Sequence, residues 1–123
     1  MKGIFVRVLS VGIMVGTSGS SALGDGTSAR EILPGCRALQ NSARYEEPAE
    51  IFMKGYCIGI LEGVAAVGTL GANRVICMPD KVTNEQLVDV VVRYIETHPE
   101  RGHVNFTLTA LFAMVLAWPC PHK

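Results

Sequence analysis

The stretch from Glu47 to Gly68 constrains the fold more than any other part of the chain, because it is long, mostly apolar and regular in its spacing. Pro48 suits the first turn of a helix, where the N–H that proline lacks would have no partner. The apolar residues that follow recur at helical spacing, at Ile51, Phe52, Tyr56, Ile60, Val64 and Val67. We therefore predict that this stretch is the central helix of a small helical domain.

Three glycines, Gly55, Gly59 and Gly63, lie one helical turn apart along one side of this stretch. Each glycine inside a helix costs roughly 1 kcal/mol relative to alanine, so the stripe needs a structural reason. Close approach of another backbone would supply one, and Gly59→Leu would then be strongly destabilising. The predicted partner is the small-residue side of a later helix, formed by Ala110, Ala113 and Ala117.

The first residues have the layout of a secretory signal peptide. Lys2 and Arg7 precede an apolar run, and small residues follow up to a cleavage site at about Ala22-Leu23-Gly24. We expect residues 1–24 to be removed and residues 25–123 to form one domain, with no stable membrane span after cleavage. Cleavage removes two basic residues and no acid, which changes the formal charge from zero to about −2. This balance offers no basic patch for nucleic acid.

The four cysteines, Cys36, Cys57, Cys77 and Cys120, are an even number in a small exported domain, which is typical of two disulfides. Metal binding is the alternative, but the sequence has no CxxC pair and no histidine at ligand spacing. We favour the pairs Cys36–Cys57 and Cys77–Cys120. Connectivity cannot be deduced from sequence alone, and Cys57–Cys77 with Cys36–Cys120 remains open.

Three further helices are predicted. Ser28 and Glu31 have the spacing of a capping box, but Pro34 and Gly35 follow. Either the helix kinks there or a short turn precedes a helix that starts at Pro34, and we favour the second. Thr83 and Gln86 open a helix that runs to about His98. Its charged residues Asp89, Arg93 and Glu96 fall on one face and its apolar residues on the other, and Asp89 with Arg93 forms a favourable i,i+4 pair. The nearly all-apolar run from Phe106 to Trp118 is too short to span a membrane and is expected to be a buried final helix. The predicted fold is all-α, a bundle of about four helices with two disulfides.

No catalytic constellation can be assembled from these residues. His98 and His103 flank the turn before the final helix, but neither a carboxylate nor a nucleophile is spaced to work with them. Each cysteine has a predicted disulfide partner, so no free thiolate is expected. We therefore predict a binding protein without enzymatic activity, cofactor or metal.

Several motifs, in this order, resemble those of the Rap/Tai-type immunity proteins. They are Gly55-Tyr56-Cys57-x-Gly59-x-x-x-Gly63; Cys77-x-Pro79 with Val82-Thr83-x-x-Gln86-Leu87; Tyr94-x-x-x-His98-Pro99-Glu100; and Trp118-Pro119-Cys120. The resemblance runs from about Leu33 to Cys120. It implies an all-helical periplasmic protein, frequent formation of a homodimer, and inhibition of a secreted peptidoglycan amidase of a type VI secretion system by occlusion of its active-site groove.

Two polar turns have the freedom to fill such a groove, residues 69–74 and residues 99–105. We favour the second turn as the partner-binding loop, because it joins two well-defined helices and is held at both ends, which lowers the ordering cost of binding. Its candidate contact residues are Pro99, Glu100, Arg101, Gly102, His103 and Asn105.

Two other functions compete with immunity. A periplasmic acid-stress chaperone would also be small, helical and disulfide-bonded, but three histidines and a near-neutral charge give no obvious low-pH switch. A carrier of an apolar ligand would need a cavity, and the glycine stripe argues against one if it marks close helix contact.

Overall fold

The computed structural model describes residues 26–41 and 46–122. The predicted signal peptide, residues 1–24, and most of the predicted polar loop before the central helix lie outside these ranges. Within them the chain forms four α-helices, α1 (Ala29–Gln40), α2 (Pro48–Gly68), α3 (Asn84–Thr97) and α4 (Phe106–Ala117). A single 3₁₀ turn, Pro99–Arg101, joins α3 to α4, and the described residues contain no strand. The predicted all-α fold is confirmed.

Two disulfides link the helices as the favoured pairing predicted, so the alternative pairing is wrong. Cys36–Cys57 joins α1 to α2, and Cys77–Cys120 joins the segment before α3 to the chain after α4. The Cα–Cα distances of 5.5 and 4.8 Å are ordinary for disulfides. Cys36 and Cys57 are fully buried, so the first disulfide is part of the core.

Helix α1 starts earlier than predicted and runs through Pro34 without a break. Its start is fixed by a complete capping box, in which the Ser28 hydroxyl accepts from the Glu31 N–H and the Glu31 carboxylate accepts from the Ser28 N–H. Proline cannot donate the helical hydrogen bond at its own position. That loss is tolerated because Gly35 and Cys36, the next two residues, are both buried against α2.

Among the glycines in the described residues, Gly35 of α1 lies directly against the backbone of another helix, whereas the glycine stripe of α2 does not. A Cβ atom on Gly35 would lie only 2.6 Å from the carbonyl oxygen of Met53. A Cβ on Gly59 would meet no other atom within 4 Å, and the same holds for Gly55 and Gly63. The prediction that the stripe packs against a neighbouring helix of the same chain is therefore wrong. The small-residue side of α4 is also not its partner, because Ala110 and Ala113 are buried in the core.

Helix α3 divides its faces as predicted. Leu87, Val91 and Ile95 are buried, whereas Asp89, Arg93 and Glu96 are exposed. The charged residues reach across to α1: Arg37 Nε donates to Glu96 Oε1 at 2.8 Å, and Gln40 Nε2 donates to Asp89 Oδ1 at 2.7 Å. Asp89 is thus paired with Gln40 of α1. The spacing within α3 had instead suggested a pair between Asp89 and Arg93.

Helices α2 and α4 are apolar on nearly every side, and each exposes part of that apolar surface. Only Cys57, Leu61 and Gly68 of α2 are buried, whereas Ile51, Phe52 and Val67 are at least half exposed. Helix α4 is likewise less buried than predicted, because Leu108, Phe112 and Leu116 face outward. By length and hydropathy alone α2 could cross a membrane, but its disulfide to α1 and its packing against α4 make it part of the bundle.

The capping box of α1 should make the stability of the fold sensitive to acid. The hydrogen bond from the Ser28 hydroxyl, followed by that from the Ser28 N–H, lowers the pKa of Glu31 below its ordinary value of 4.5. Because the pKa of Glu31 is lower in the folded state than in the unfolded chain, its charge stabilises the fold at pH values above the unfolded pKa. This stabilisation is lost as pH falls through the pKa of the folded state. Glutamine in the same position, as at Gln86 of α3, keeps the capping hydrogen bond without titrating.

We therefore expect Glu31→Gln to have a slightly lower thermal unfolding midpoint than the wild type at neutral pH. The two midpoints should converge as pH falls from the unfolded value of 4.5 through the lowered pKa of the folded state, where Glu31 becomes protonated. Thermal unfolding followed by circular dichroism between neutral and acid pH measures this difference. A gap that stays constant over the whole range would show that the Glu31 charge does not contribute.

Candidate functional site

The loop of residues 99–105 connects α3 to α4 and begins with the 3₁₀ turn, Pro99–Arg101. His98 ends α3, and the Arg101 N–H donates to the His98 carbonyl at 2.9 Å. At the other end Asn105 caps α4, since its Oδ1 accepts from the Leu108 N–H at 3.3 Å. Both ends of the loop are thus held by helix termini, as the sequence predicted.

A segment that the sequence did not implicate holds the middle of this loop. The N–H of Ala29 donates to the Val104 carbonyl at 2.8 Å, and the N–H of Arg30 donates to the Gly102 carbonyl at 2.9 Å. On the other side of Asn105, the Phe106 N–H donates to the Thr27 carbonyl at 2.9 Å. We call residues 27–30 the brace. The capping box indicated where α1 starts. No sequence pattern indicated that the brace would bind the loop of residues 99–105.

Side chains beneath the loop add a further layer of support. Arg101 Nη1 donates to the hydroxyl of the buried Tyr94 at 3.0 Å, and the His98 ring stacks on the Tyr94 ring at 4.2 Å. His98 Nδ1 lies 2.8 Å from the Tyr94 carbonyl oxygen. Since a carbonyl oxygen only accepts, Nδ1 carries a proton and acts as its donor. His98 therefore terminates α3. Of the two histidines, His103 is exposed and His98 is half-buried.

The loop presents polar side chains of both charges beside a shallow depression. Pro99, Glu100, Arg101 and His103 are exposed, while Gly102 is buried. Arg30 leans over Gly102, where an added Cβ would lie 3.1 Å from its Nε. A pocket of about 390 Å³ adjoins the loop, lined by Arg30, Leu33, Arg37, Ile95, Glu96, Pro99 and Gly102. A rigid polar loop next to a pocket can bind a protein surface with little loss of conformational entropy.

The second polar turn, residues 69–74, is also ordered. The Thr69 hydroxyl donates to the Ala65 carbonyl at 2.8 Å, and Gly71 adopts a positive φ of 72°. The turn closes where the N–H groups of Val75 and Ile76 both donate to the Gly68 carbonyl at 3.0 Å. Order at both ends therefore does not by itself distinguish residues 99–105 from this alternative.

An open apolar groove lies between α2 and α4, and sequence reasoning missed it. Its volume is about 610 Å³, and its lining includes Gly59, Gly63 and Val67 of α2 with Thr107 and Leu111 of α4. The glycine stripe therefore borders open space. The argument that close helix contact at the stripe leaves no cavity for an apolar ligand no longer applies. The low polarity of both helices could have signalled this surface, since neither helix has a polar face to turn toward water.

The described part of the chain contains no candidate metal site. In residues 26–41 and 46–122, no three His, Cys, Asp or Glu side chains converge into a cluster that could hold a metal ion. All four cysteines are in disulfides, so they offer no thiolate.

These features define a small disulfide-linked helical protein whose distinctive surfaces, a braced polar loop and an apolar groove, are suited to contacts with other proteins. The family model for Rap1a immunity proteins matches residues 28–120, and the chain belongs to this family. Membership gives it a toxin-immunity role with a protein effector as its partner. The family is exported and generally non-enzymatic, and the disulfides also indicate a compartment outside the cytoplasm. Searches of curated proteins and of solved structures found no match.

Proposed function

We propose that this chain is a periplasmic immunity protein that binds a peptidoglycan amidase toxin of a type VI secretion system and occludes its active-site groove. Family membership is the observation that carries the proposal. In this proposal residues 1–24 are a cleaved signal peptide and residues 25–123 are the binding domain, without catalytic activity of its own. A toxin that cuts peptidoglycan acts in the periplasm, so its inhibitor has to be there as well.

We place the contact with the toxin on residues 99–105. An amidase groove is an open cleft that admits a peptide, so a protruding loop can fill it without copying the substrate. The exposed side chains of Glu100, Arg101 and His103 supply polar contacts, and the brace keeps their backbone in place before binding. Because the loop is already ordered, binding loses little conformational entropy. An interface of standard size, about 1,600 Å² in total, would extend onto α1 and α3 around the loop.

Calorimetry of the purified exported protein with the amidase encoded beside it tests the proposal. His103→Glu adds a negative charge at an exposed position of the loop and should weaken binding at least ~10-fold. Ala72→Glu adds the same charge at an exposed position of the alternative turn, residues 69–74, and should leave binding unchanged. If Ala72→Glu weakens binding more than His103→Glu does, the contact lies on residues 69–74 instead.

Ala29→Pro tests the role of the brace in the same assay. Ala29 is the first residue of α1, where proline is tolerated, but the substitution removes the N–H that binds the Val104 carbonyl. We expect weaker toxin binding with helical content retained. Asn84→Pro at the equivalent position of α3 is the control, since that site does not contact the loop.

The cellular test is protection from lysis when the amidase is directed to the periplasm. Deleting residues 1–24 should abolish protection while the purified protein still binds the toxin. If the protein binds no co-encoded amidase but prevents aggregation of other proteins at low pH, the chaperone function replaces this proposal.

A further inference from the structure

The pocket beside residues 99–105 combines an apolar floor with two guanidinium groups. Arg30, Leu33 and Arg37 recur at helical spacing, so they lie on one face of α1. Buried Ile95 of α3 and half-buried Leu33 form the floor, and Pro99 of the loop also lines the pocket. The volume of about 390 Å³ is near the lower end of the roughly 300–1,000 Å³ typical of ligand pockets, so it suits a single side chain. We call this site the arginine pocket.

Within residues 26–41 and 46–122, the Arg30 guanidinium has no carboxylate partner. The salt bridges of these residues involve the cations of Arg37 and Lys54. Glu31, the neighbour of Arg30 in the chain, is already bound to Ser28 in the capping box. An arginine side chain stays protonated in proteins and only donates hydrogen bonds. Arg30 therefore presents to the pocket a positive charge that this part of the chain does not compensate.

Contacts with Gly102 hold Arg30 at one end of the arginine pocket. The Arg30 N–H donates to the Gly102 carbonyl at 2.9 Å. In the side chain, Nε and Nη2 lie 3.1 and 3.2 Å from the position of a Cβ added to Gly102. Gly102 has φ −58° and ψ −21°, a conformation that any residue adopts, so the backbone does not require glycine here. The absence of a side chain at Gly102 instead leaves room for the Arg30 guanidinium.

The other end of the pocket already contains one ion pair, Arg37 with Glu96. Arg37 donates to Glu96 through Nε alone, which leaves its terminal nitrogens available. Arg30 and Arg37 are two helical turns apart, or about 10 Å along the axis of α1. A carboxylate bound by Arg30 therefore does not have to displace Glu96 from Arg37.

We infer that the arginine pocket binds an acidic side chain of the toxin, with its carboxylate on Arg30. The inference rests on the proposed function, because the partner is the toxin that residues 99–105 bind. Arginine and a carboxylate form a charge-assisted pair, often through two parallel hydrogen bonds. Glutamate fits better than aspartate, since its longer apolar stem can lie on Leu33 and Ile95 while its carboxylate reaches Arg30.

Surface plasmon resonance with the amidase encoded beside this chain tests the inference. Arg30→Gln should raise the dissociation constant at least ~10-fold, because it leaves the toxin carboxylate without its charged donor. The increase should come from faster dissociation, as expected for a pair that binding shields from water, and not from slower association. Arg30→Lys keeps the charge but loses the planar fork, so its effect should be intermediate. Far-ultraviolet circular dichroism should show the same helicity in all variants.

Arg74→Gln is the matched control, because it removes the same charge at an exposed position of residues 69–74. It should leave the dissociation rate unchanged. The inference is wrong if Arg30→Gln binds the toxin as tightly as the wild type does. It is equally wrong if Arg74→Gln has the same effect, since net charge would then explain both results.

Double-mutant cycles identify the carboxylate on the toxin. Each exposed glutamate and aspartate of the amidase is replaced with its amide, and binding to the wild type and to Arg30→Gln is compared. One replacement should weaken binding to the wild type at least ~10-fold and have little further effect on Arg30→Gln, because the two groups form one pair. If no replacement is coupled to Arg30, the pocket does not hold an acidic side chain.

A probe that does not depend on the amidase separates this inference from the proposed function. If no amidase binds, the proposed function fails, and nuclear magnetic resonance of the purified exported protein decides the inference. Titration with the α-amide of N-acetylglutamate should shift the Nε–Hε resonance of Arg30, whereas the neutral N-acetylglutamine amide should not. An equal response to both probes, or no response to either, would overturn the inference.

Discussion

Gly35→Leu should unfold the protein or lower its stability severely, whereas substitution in the glycine stripe should not. A Cβ on Gly35 would lie 2.6 Å from the carbonyl oxygen and 2.8 Å from the Cβ of Met53, so α1 and α2 would have to separate. Overpacking of this kind typically costs about 1–3 kcal/mol and more when backbone must move. The helices cannot separate freely, because the next residue, Cys36, is bonded to Cys57.

Gly35→Ala and Gly55→Ala form the matched pair that isolates this effect. Each should gain up to ~1 kcal/mol of helix propensity, because each replaces a glycine inside a helix. Only Gly35→Ala also introduces a close contact, since a Cβ at Gly55 meets nothing within 4 Å. Urea unfolding should therefore show Gly55→Ala as neutral or stabilised and Gly35→Ala as destabilised. Equal stability of the two variants would contradict the close approach at Gly35.

Removing the Cys36–Cys57 disulfide should be the other strongly destabilising change. The bridge closes a loop with a sequence separation of 21, for which the chain-entropy model gives about 3 kcal/mol. Cys36→Ala with Cys57→Ala also removes two fully buried sulfur atoms and leaves a cavity in the core, which adds a packing cost. We expect the free energy of unfolding to fall by roughly 4–5 kcal/mol, a large part of the total for a domain of this size.

The second disulfide provides the comparison. Cys77–Cys120 has a sequence separation of 43, so its entropic contribution should be the larger of the two, about 4 kcal/mol. Its cysteines are only partly buried, however, so replacing both with alanine leaves no comparable cavity. If core packing matters as argued, urea unfolding should show the Cys36/Cys57 double variant to be at least as unstable as the Cys77/Cys120 variant. A clearly smaller effect at Cys36/Cys57 would mean that loop length alone decides.

The sequence by itself determined those features that depend on neighbours along the chain. The start of α3 followed from the capping box of Thr83 and Gln86, and its buried face followed from the spacing of its charged residues. The presence of two disulfides followed from four cysteines in a small exported domain, although the fold decided between the two pairings, and the family followed from several motifs in the right order. Each of these signals comes from residues close together in the chain or from several motifs counted together, so it can be read without knowledge of the packing.

Tertiary structure decided which side of an apolar helix is buried and where two backbones meet. Helices α2 and α4 have almost no polar face, so their sequences carry no signal to orient them, and the glycine stripe of α2 turned outward. The close approach occurs instead at Gly35, next to Pro34, where the first helix was predicted to start, and the Cys36–Cys57 disulfide holds that helix against α2. The brace on residues 99–105 is likewise a contact between segments distant in sequence. Its backbone hydrogen bonds depend on position and not on side-chain identity, so only the fold could reveal them.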